Sequence, residues 1–167
     1  SILFVIGLFL FSQTWRPLLS QITAFTLAHT VTLGLATLGF ITIQPTQMWL
    51  VEALIAISIT YVAIENIFRP KLGWWRMVVV FVFGLLHGLG FASVLGDLGL
   101  AKEQFLLSLI AFNVGVEFGQ LAVVAGAIFL LTLPFGRSTR YRKFVVIPGS
   151  IAIALVGFWW TIERIFL

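Results

Sequence analysis

A chain of 167 residues that is 60% hydrophobic and only 10% charged, with a mean hydropathy of +1.12, cannot hide its apolar surface in a water-soluble core, where roughly 25% charge is usual. Its ten basic and six acidic residues leave a net charge of +4, but the basic ones fall in short segments between apolar runs, which assigns them to membrane topology rather than to a nucleic-acid patch. The absence of cysteine excludes disulfides, thiolate metal sites and thiol catalysis, and two methionines are too few for a thioether copper path.

Backbone groups that face lipid must be paired within their own segment or in a closed barrel, so long apolar runs predict helices. In chain order these runs are 1–11, 20–40, 48–68, 76–95, 104–133 and 143–166. They predict an all-α fold, a polytopic transmembrane helix bundle in one domain over 1–167, with five full spans and a partial first helix. The first run, Ile2 to Phe11, has about half of the ~20 residues needed to cross ~30 Å of hydrocarbon. It has neither a basic start nor a small-residue cleavage site, so the sequence is expected to open inside a helix rather than on a signal peptide. The runs are punctuated at Pro17, Gln44-Pro45, Arg69-Pro70, Gly96 to Lys102 and Pro134 to Lys143, and connections this short favour antiparallel neighbours.

Basic residues alternate between these connections. Arg16 stands in the first and none in the second; Arg69, Lys71 and Arg76 are in the third; Lys102 is alone in the fourth; Arg137, Arg140, Arg142 and Lys143 fill the fifth. The odd connections are therefore expected in the cytoplasm, with Ser1 and the C-terminal Glu163-Arg164 on the outer side of a bacterial inner membrane. Trp15, Trp49, Trp74, Trp75, Trp159 and Trp160 all fall near predicted span ends, where aromatic belts lie.

An ionisable or amide side chain at mid-bilayer costs about 2–3 kcal/mol on insertion scales, so each one calls for a partner or a purpose. At a rise of ~1.5 Å per residue, His29, His87, Asn113 and Glu117 all fall near the midplane. Asn113, Glu117 and Gln120 follow i, i+4, i+7 spacing and share a stripe that should face other helices. Ser58, Tyr61 and Glu65 share a face by i, i+3, i+7, so Glu65 either extends a polar path towards the cytoplasm or pairs with Arg69. Glu52, Asn66 and Glu163 lie nearer span ends and are easier to solvate. Gly88-Leu89-Gly90 fits close helix packing or a local unwinding that opens a site. Two imidazoles, a carboxylate and an amide oxygen at one depth form a borderline donor set for Ni²⁺, Co²⁺, Zn²⁺ or Fe²⁺; they could equally relay protons or simply hydrogen-bond between helices.

Four ordered stretches, 23–30 with His29, 51–58 with Glu52 and Ser58, 83–92 with His87-Gly88 and Gly90, and 112–120 with Asn113, Gly115, Glu117, Gly119 and Gln120, resemble the HupE/UreJ family of membrane proteins over nearly the whole chain. The resemblance implies a permease for nickel or cobalt, with the metal as substrate rather than as a tightly bound cofactor. His29, His87, Asn113 and Glu117 are the implied metal site, and Glu65, Gln120 and Glu52 a path to it. The first-helix His and Asp-His group typical of the family is absent, and Leu89, Gly90, Phe91 and Ala92 stand where better-studied members carry a second His and a Glu. Both features point to a less characterised branch.

Besides the lipid bilayer, the expected partners are a larger membrane complex or further copies of the chain. The alternative function is accordingly a non-catalytic accessory or scaffold subunit. An enzyme is not expected, since there is no His-Glu-x-x-His pair, no Gly-x-Ser-x-Gly elbow and no phosphate loop. Two histidines could in principle hold a haem axially, but nothing else in the sequence points there.

Overall fold

The computed structural model describes residues 2–11, 15–68, 73–97, 102–132 and 139–167. Among these residues there are helices and no strands, as an apolar chain that must pair its backbone within each segment requires. The connections expected at Arg69 to Lys71, over 98–101 and from Pro134 to Arg137, and the start at Ser1, lie outside the described residues.

The helices are α1 (Ile2–Phe11), α2 (Trp15–Thr37), α3 (Met48–Phe68), α4 (Trp74–Asp97), α5 (Lys102–Ala127, continued by a π-helical turn over Ile128–Thr132) and α6 (Ile147–Phe166, preceded by a π-helical turn over Arg142–Val146). Among the described residues, five segments are long and apolar enough to span a membrane: Arg16–Thr37, Pro45–Phe68, Trp74–Ala92, Leu107–Leu130 and Arg142–Phe166. The main departure from expectation is at Pro17, which stands inside the first turn of α2 rather than before it. Proline is tolerated there because the first N–H groups of a helix have no intrahelical acceptor. At the far end of α2, Gly39 takes φ +85° while the N–H groups of Phe40 and Gly39 bond to Leu35 O and Ala36 O, the paired bonds of a Schellman stop.

Short connections were expected to make sequence neighbours the main packing partners. Instead the two most extensive contacts are α2 with α4 and α3 with α6. The first is a parallel pair, and its cause is the spacing of Gly84 and Gly88. A Cβ built on Gly84 would lie 2.6 Å from Phe25 O, and one on Gly88 would lie 2.6 Å from His29 O. Glycines four residues apart let the two backbones touch. In α6, Gly157 does the same against α3, where a Cβ would meet Thr60 Oγ1 at 2.5 Å. Loop length only limits which helices can meet; the small residues decide which do.

The ten-residue α1 is only ~15 Å long, yet it is enclosed by the bundle, with Phe4, Val5, Leu8, Phe9 and Leu10 all buried against α2, α3, α5 and α6. Several tryptophans near span ends are exposed, among them Trp49, Trp74, Trp75, Trp159 and Trp160, which suits ring placement at a membrane interface.

Candidate functional site

The α2–α4 crossing brings both histidines into one aromatic layer. Phe25 stacks on His29 at 6.3 Å and meets His87 edge-on at 5.0 Å, while Phe4 of α1 stacks on Phe25 at 5.0 Å and lies 5.1 Å from His87. His29 and His87 are 1% and 2% exposed. His87 Nε2 lies 2.9 Å from Ser58 Oγ of α3, whose hydroxyl is also 2.6 Å from Ile55 O. The shared face of Ser58 and Glu65 on α3 thus receives His87 at its upper position. Gly88 and Gly90 sit within an unbroken α4, so the close-packing reading of this segment holds and the unwinding does not.

A second polar seam joins α2 to α5. His29 Nδ1 is 3.2 Å from Asn113 Oδ1, and Thr30 Oγ1 reaches the same oxygen at 2.9 Å. Asn113 Nδ2 donates to Leu109 O at 2.8 Å. Two turns along, Thr26 Oγ1 donates to Gln120 Oε1 at 3.1 Å. The i, i+4, i+7 stripe on α5 therefore turns its Asn113 and Gln120 inward, both buried. Between them, Glu117 Oε2 is buried without a hydrogen-bond partner, as are His29 Nε2 and Gln120 Nε2. Buried polar atoms are nearly always paired, so three unpaired ones along a single seam mark it as a place for water, an ion or a proton. Among the described residues no three His, Cys, Asp or Glu side chains converge on one point, so His29, His87 and Glu117 occupy one region without forming a ready cage.

The remaining path residues lie at opposite ends. Glu65 is buried and bonded to Arg76 Nη1 at 2.9 Å, so its partner is Arg76 of α4; Arg69, the partner expected from sequence, lies outside the described residues. Arg76, 1% exposed, also donates to Asn66 Oδ1 at 3.1 Å and to Gln21 Oε1 at 3.4 Å. Asn66 Nδ2 in turn donates to Gly7 O at 2.7 Å, and Arg142 Nη2 covers the last carbonyls of α3 at Asn66 and Ile67. Four helices and the lead-in to α6 are tied at this end. Its chemistry was missed in the sequence because Arg76 reads there as one more loop charge; the signal was its place behind Trp74-Trp75, already inside the helix. Beside this network a cleft of about 330 Å³ is lined by Pro17, Ser20, Gln21, Gly73, Arg76 and Met77.

At the other end, half-exposed Glu52 pairs with Arg164 of α6 at 3.2 Å, next to a cleft of about 230 Å³ formed with Ile55, Ala56, Ile59 and Trp160. The contacts of Gln21 with Arg76 and of Arg142 with Ile67 place the starts of α2 and α4 and the lead-in to α6 at one end, and Glu52 with Arg164 lies at the other.

A family model described as HupE / UreJ protein matches residues 1–164. No curated protein and no solved structure matches the chain.

Proposed function

The chain belongs to the HupE/UreJ family, and from that premise we propose that it is a permease for a divalent transition metal, nickel or cobalt, which passes through a mid-membrane site of His29, His87, Asn113 and Glu117. The observation that carries this reading is the pair of unpartnered buried acceptors, His29 Nε2 and Glu117 Oε2, on facing helices. Imidazole nitrogen and carboxylate oxygen suit borderline cations. Neither atom has a hydrogen-bond partner, and each would gain a bond on binding a cation.

Substrate would complete the site. His87 is engaged by Ser58, so the ion draws its ligands together from adjacent positions, while Asn113, bonded to Leu109 and Thr30, lines the site beside His29. A site assembled on binding releases its ion more readily than a rigid cage, which is what transport requires. Metal–nitrogen bonds of ~2 Å leave little freedom in where the imidazoles must finish. Glu65, Gln120 and Glu52 would serve the path between this site and the two ends, with the Arg76 end in the cytoplasm of a bacterial cell.

Calorimetric titration of the purified protein with Ni²⁺ and Co²⁺, alongside ⁶³Ni²⁺ uptake by proteoliposomes, tests the proposal. His29→Ala and His87→Gln are each expected to weaken binding by more than the roughly 10–100-fold that loss of a mere supporting group costs, and to stop uptake. Unchanged affinity in both variants would remove the metal site. Together with stable co-purification in a larger membrane complex, it would leave the accessory-subunit function in its place.

A further inference from the structure

The hydrogen bonds around Asn113 locate the proton of His29. Asn113 Nδ2 lies 2.8 Å from Leu109 O, and only the amide NH₂ can face a carbonyl at that distance. That contact orients the amide and makes the opposite atom, Oδ1, an acceptor with no proton of its own. Everything bonded to Oδ1 must then donate to it. Thr30 does so with its hydroxyl at 2.9 Å, a bond it shares with Thr26 O at 2.7 Å. His29 Nδ1, at 3.2 Å, is the second group on that oxygen and therefore carries a hydrogen. A neutral imidazole has one N–H, so Nε2 is left with the lone pair. Nε2 is also the buried ring nitrogen without a hydrogen-bond partner.

The surroundings hold this arrangement in place. The His29 ring is confined by Phe91 edge-on at 5.2 Å and by Phe112 at 6.3 Å, and the backbone carbonyl of His29 lies against Gly88. His87 has no such device: the hydroxyl of Ser58 can give its proton to Ile55 O or to Nε2, and either tautomer of His87 satisfies the pair.

We propose that Asn113 is a positioning residue rather than a ligand: held by Leu109, and sharing its oxygen between Thr30 and His29, it keeps the His29 proton on Nδ1 so that Nε2 is the electron-pair donor for a divalent cation. The cation in this statement rests on the permease reading above, whereas the tautomer does not. Metal-bound histidines commonly have the second ring nitrogen held by such an outer partner, and its loss costs roughly 10–100-fold in affinity.

The chain has only two histidines, which makes the test direct. The protein is labelled with ¹⁵N-histidine, reconstituted in lipid nanodiscs at pH 8, above the ordinary imidazole pKa of ~6.5, and its ring nitrogens are observed by NMR. His29 signals are assigned by their loss in His29→Gln. The expected result is a protonated Nδ1 and an unprotonated Nε2 at His29. A protonated Nε2 in the parent protein overturns the inference, and this measurement needs no Asn113 variant to fold. Asn113→Leu, which removes the acceptor, is expected to move the proton to Nε2 in a substantial fraction of molecules, while Thr30→Val, which leaves Oδ1 in place, keeps it on Nδ1. An unchanged tautomer in Asn113→Leu also overturns the inference. Titration with Ni²⁺ alone separates the two proposals. The expected tautomer in a parent protein that binds no metal defeats the permease and leaves the positioning role standing. Metal binding with the opposite tautomer does the reverse. With both correct, Asn113→Leu loses roughly 10–100-fold in Ni²⁺ affinity.

Discussion

Arg76→Ala is expected to destabilise the folded bundle by about 3–5 kcal/mol, the range for removing one partner of a buried ion pair. Arg76 is 1% exposed and its guanidinium serves Glu65, Asn66 and Gln21 from two other helices. Without it, the Glu65 carboxylate stays buried with no counter-charge, and two amide oxygens lose a donor. Asn66 also holds Gly7 O, so the same substitution loosens the seating of α1. Removing both charges together, as in Arg76→Met with Glu65→Gln, is expected to cost less than Arg76→Ala alone, since no unpaired charge remains. The comparison is Arg164→Ala. That residue's bond to Glu52 is half-exposed, and its loss should cost within about 1 kcal/mol. Six tryptophans report unfolding in mixed micelles, while the lack of cysteine rules out thiol dyes. Equal stability of Arg76→Ala and Arg164→Ala would show that the network is incidental.

Gly84→Val and Gly88→Val should each cost about 1–3 kcal/mol or more, the range for overpacking a close contact. The lower figures in that range belong to sites where a flexible side chain can yield. Here the new Cβ would lie 2.6 Å from backbone oxygens of α2, Phe25 O for Gly84 and His29 O for Gly88, so the two helices must separate. Separation carries a functional cost as well, because it parts His29 on α2 from His87 on α4. Gly88→Val is therefore expected to lose Ni²⁺ binding even in molecules that stay folded. Gly115 and Gly119 on α5 are the contrast. Nothing lies within 4 Å of a Cβ built there, so Gly115→Ala and Gly119→Ala should be neutral or gain up to about 1 kcal/mol from reduced chain entropy. Micelle unfolding and metal titration of the four variants decide the matter. A Gly88→Val protein with parental stability and affinity would mean that α2 and α4 do not touch as described.

Some of the site was readable one helix at a time. The stripe of Asn113, Glu117 and Gln120 follows from the 3.6-residue period, and its inward direction follows from the cost of amides in lipid. The face shared by Ser58 and Glu65 follows from the same period, although their partners, His87 and Arg76, come from another helix. Arg76 itself was read as a topology charge. Basic residues near a span end look alike in sequence whether they reach water or a buried carboxylate, and only packing distinguishes them. Asn113 presents the same difficulty. Its amide has both donor and acceptor atoms, so its type alone fits a metal ligand and a hydrogen-bonding support equally well.

The sequence by itself determined that this protein is a helical membrane bundle, with five helices among the described residues long and apolar enough to span the bilayer. Both depend on the length of the apolar runs and on the scarcity of charge within them, which are properties of the chain read along one dimension. Its family, too, was recognisable from four short stretches. The tertiary structure alone decided that α2 pairs with α4 and α3 with α6, that Glu65 is locked to Arg76, and that Asn113 holds the Nδ1 side of His29. Those outcomes depend on how closely two backbones approach and on which atoms then come within about 3 Å of one another. Glycines at a crossing set that approach, and no periodicity within a single helix records what stands on the other side of it.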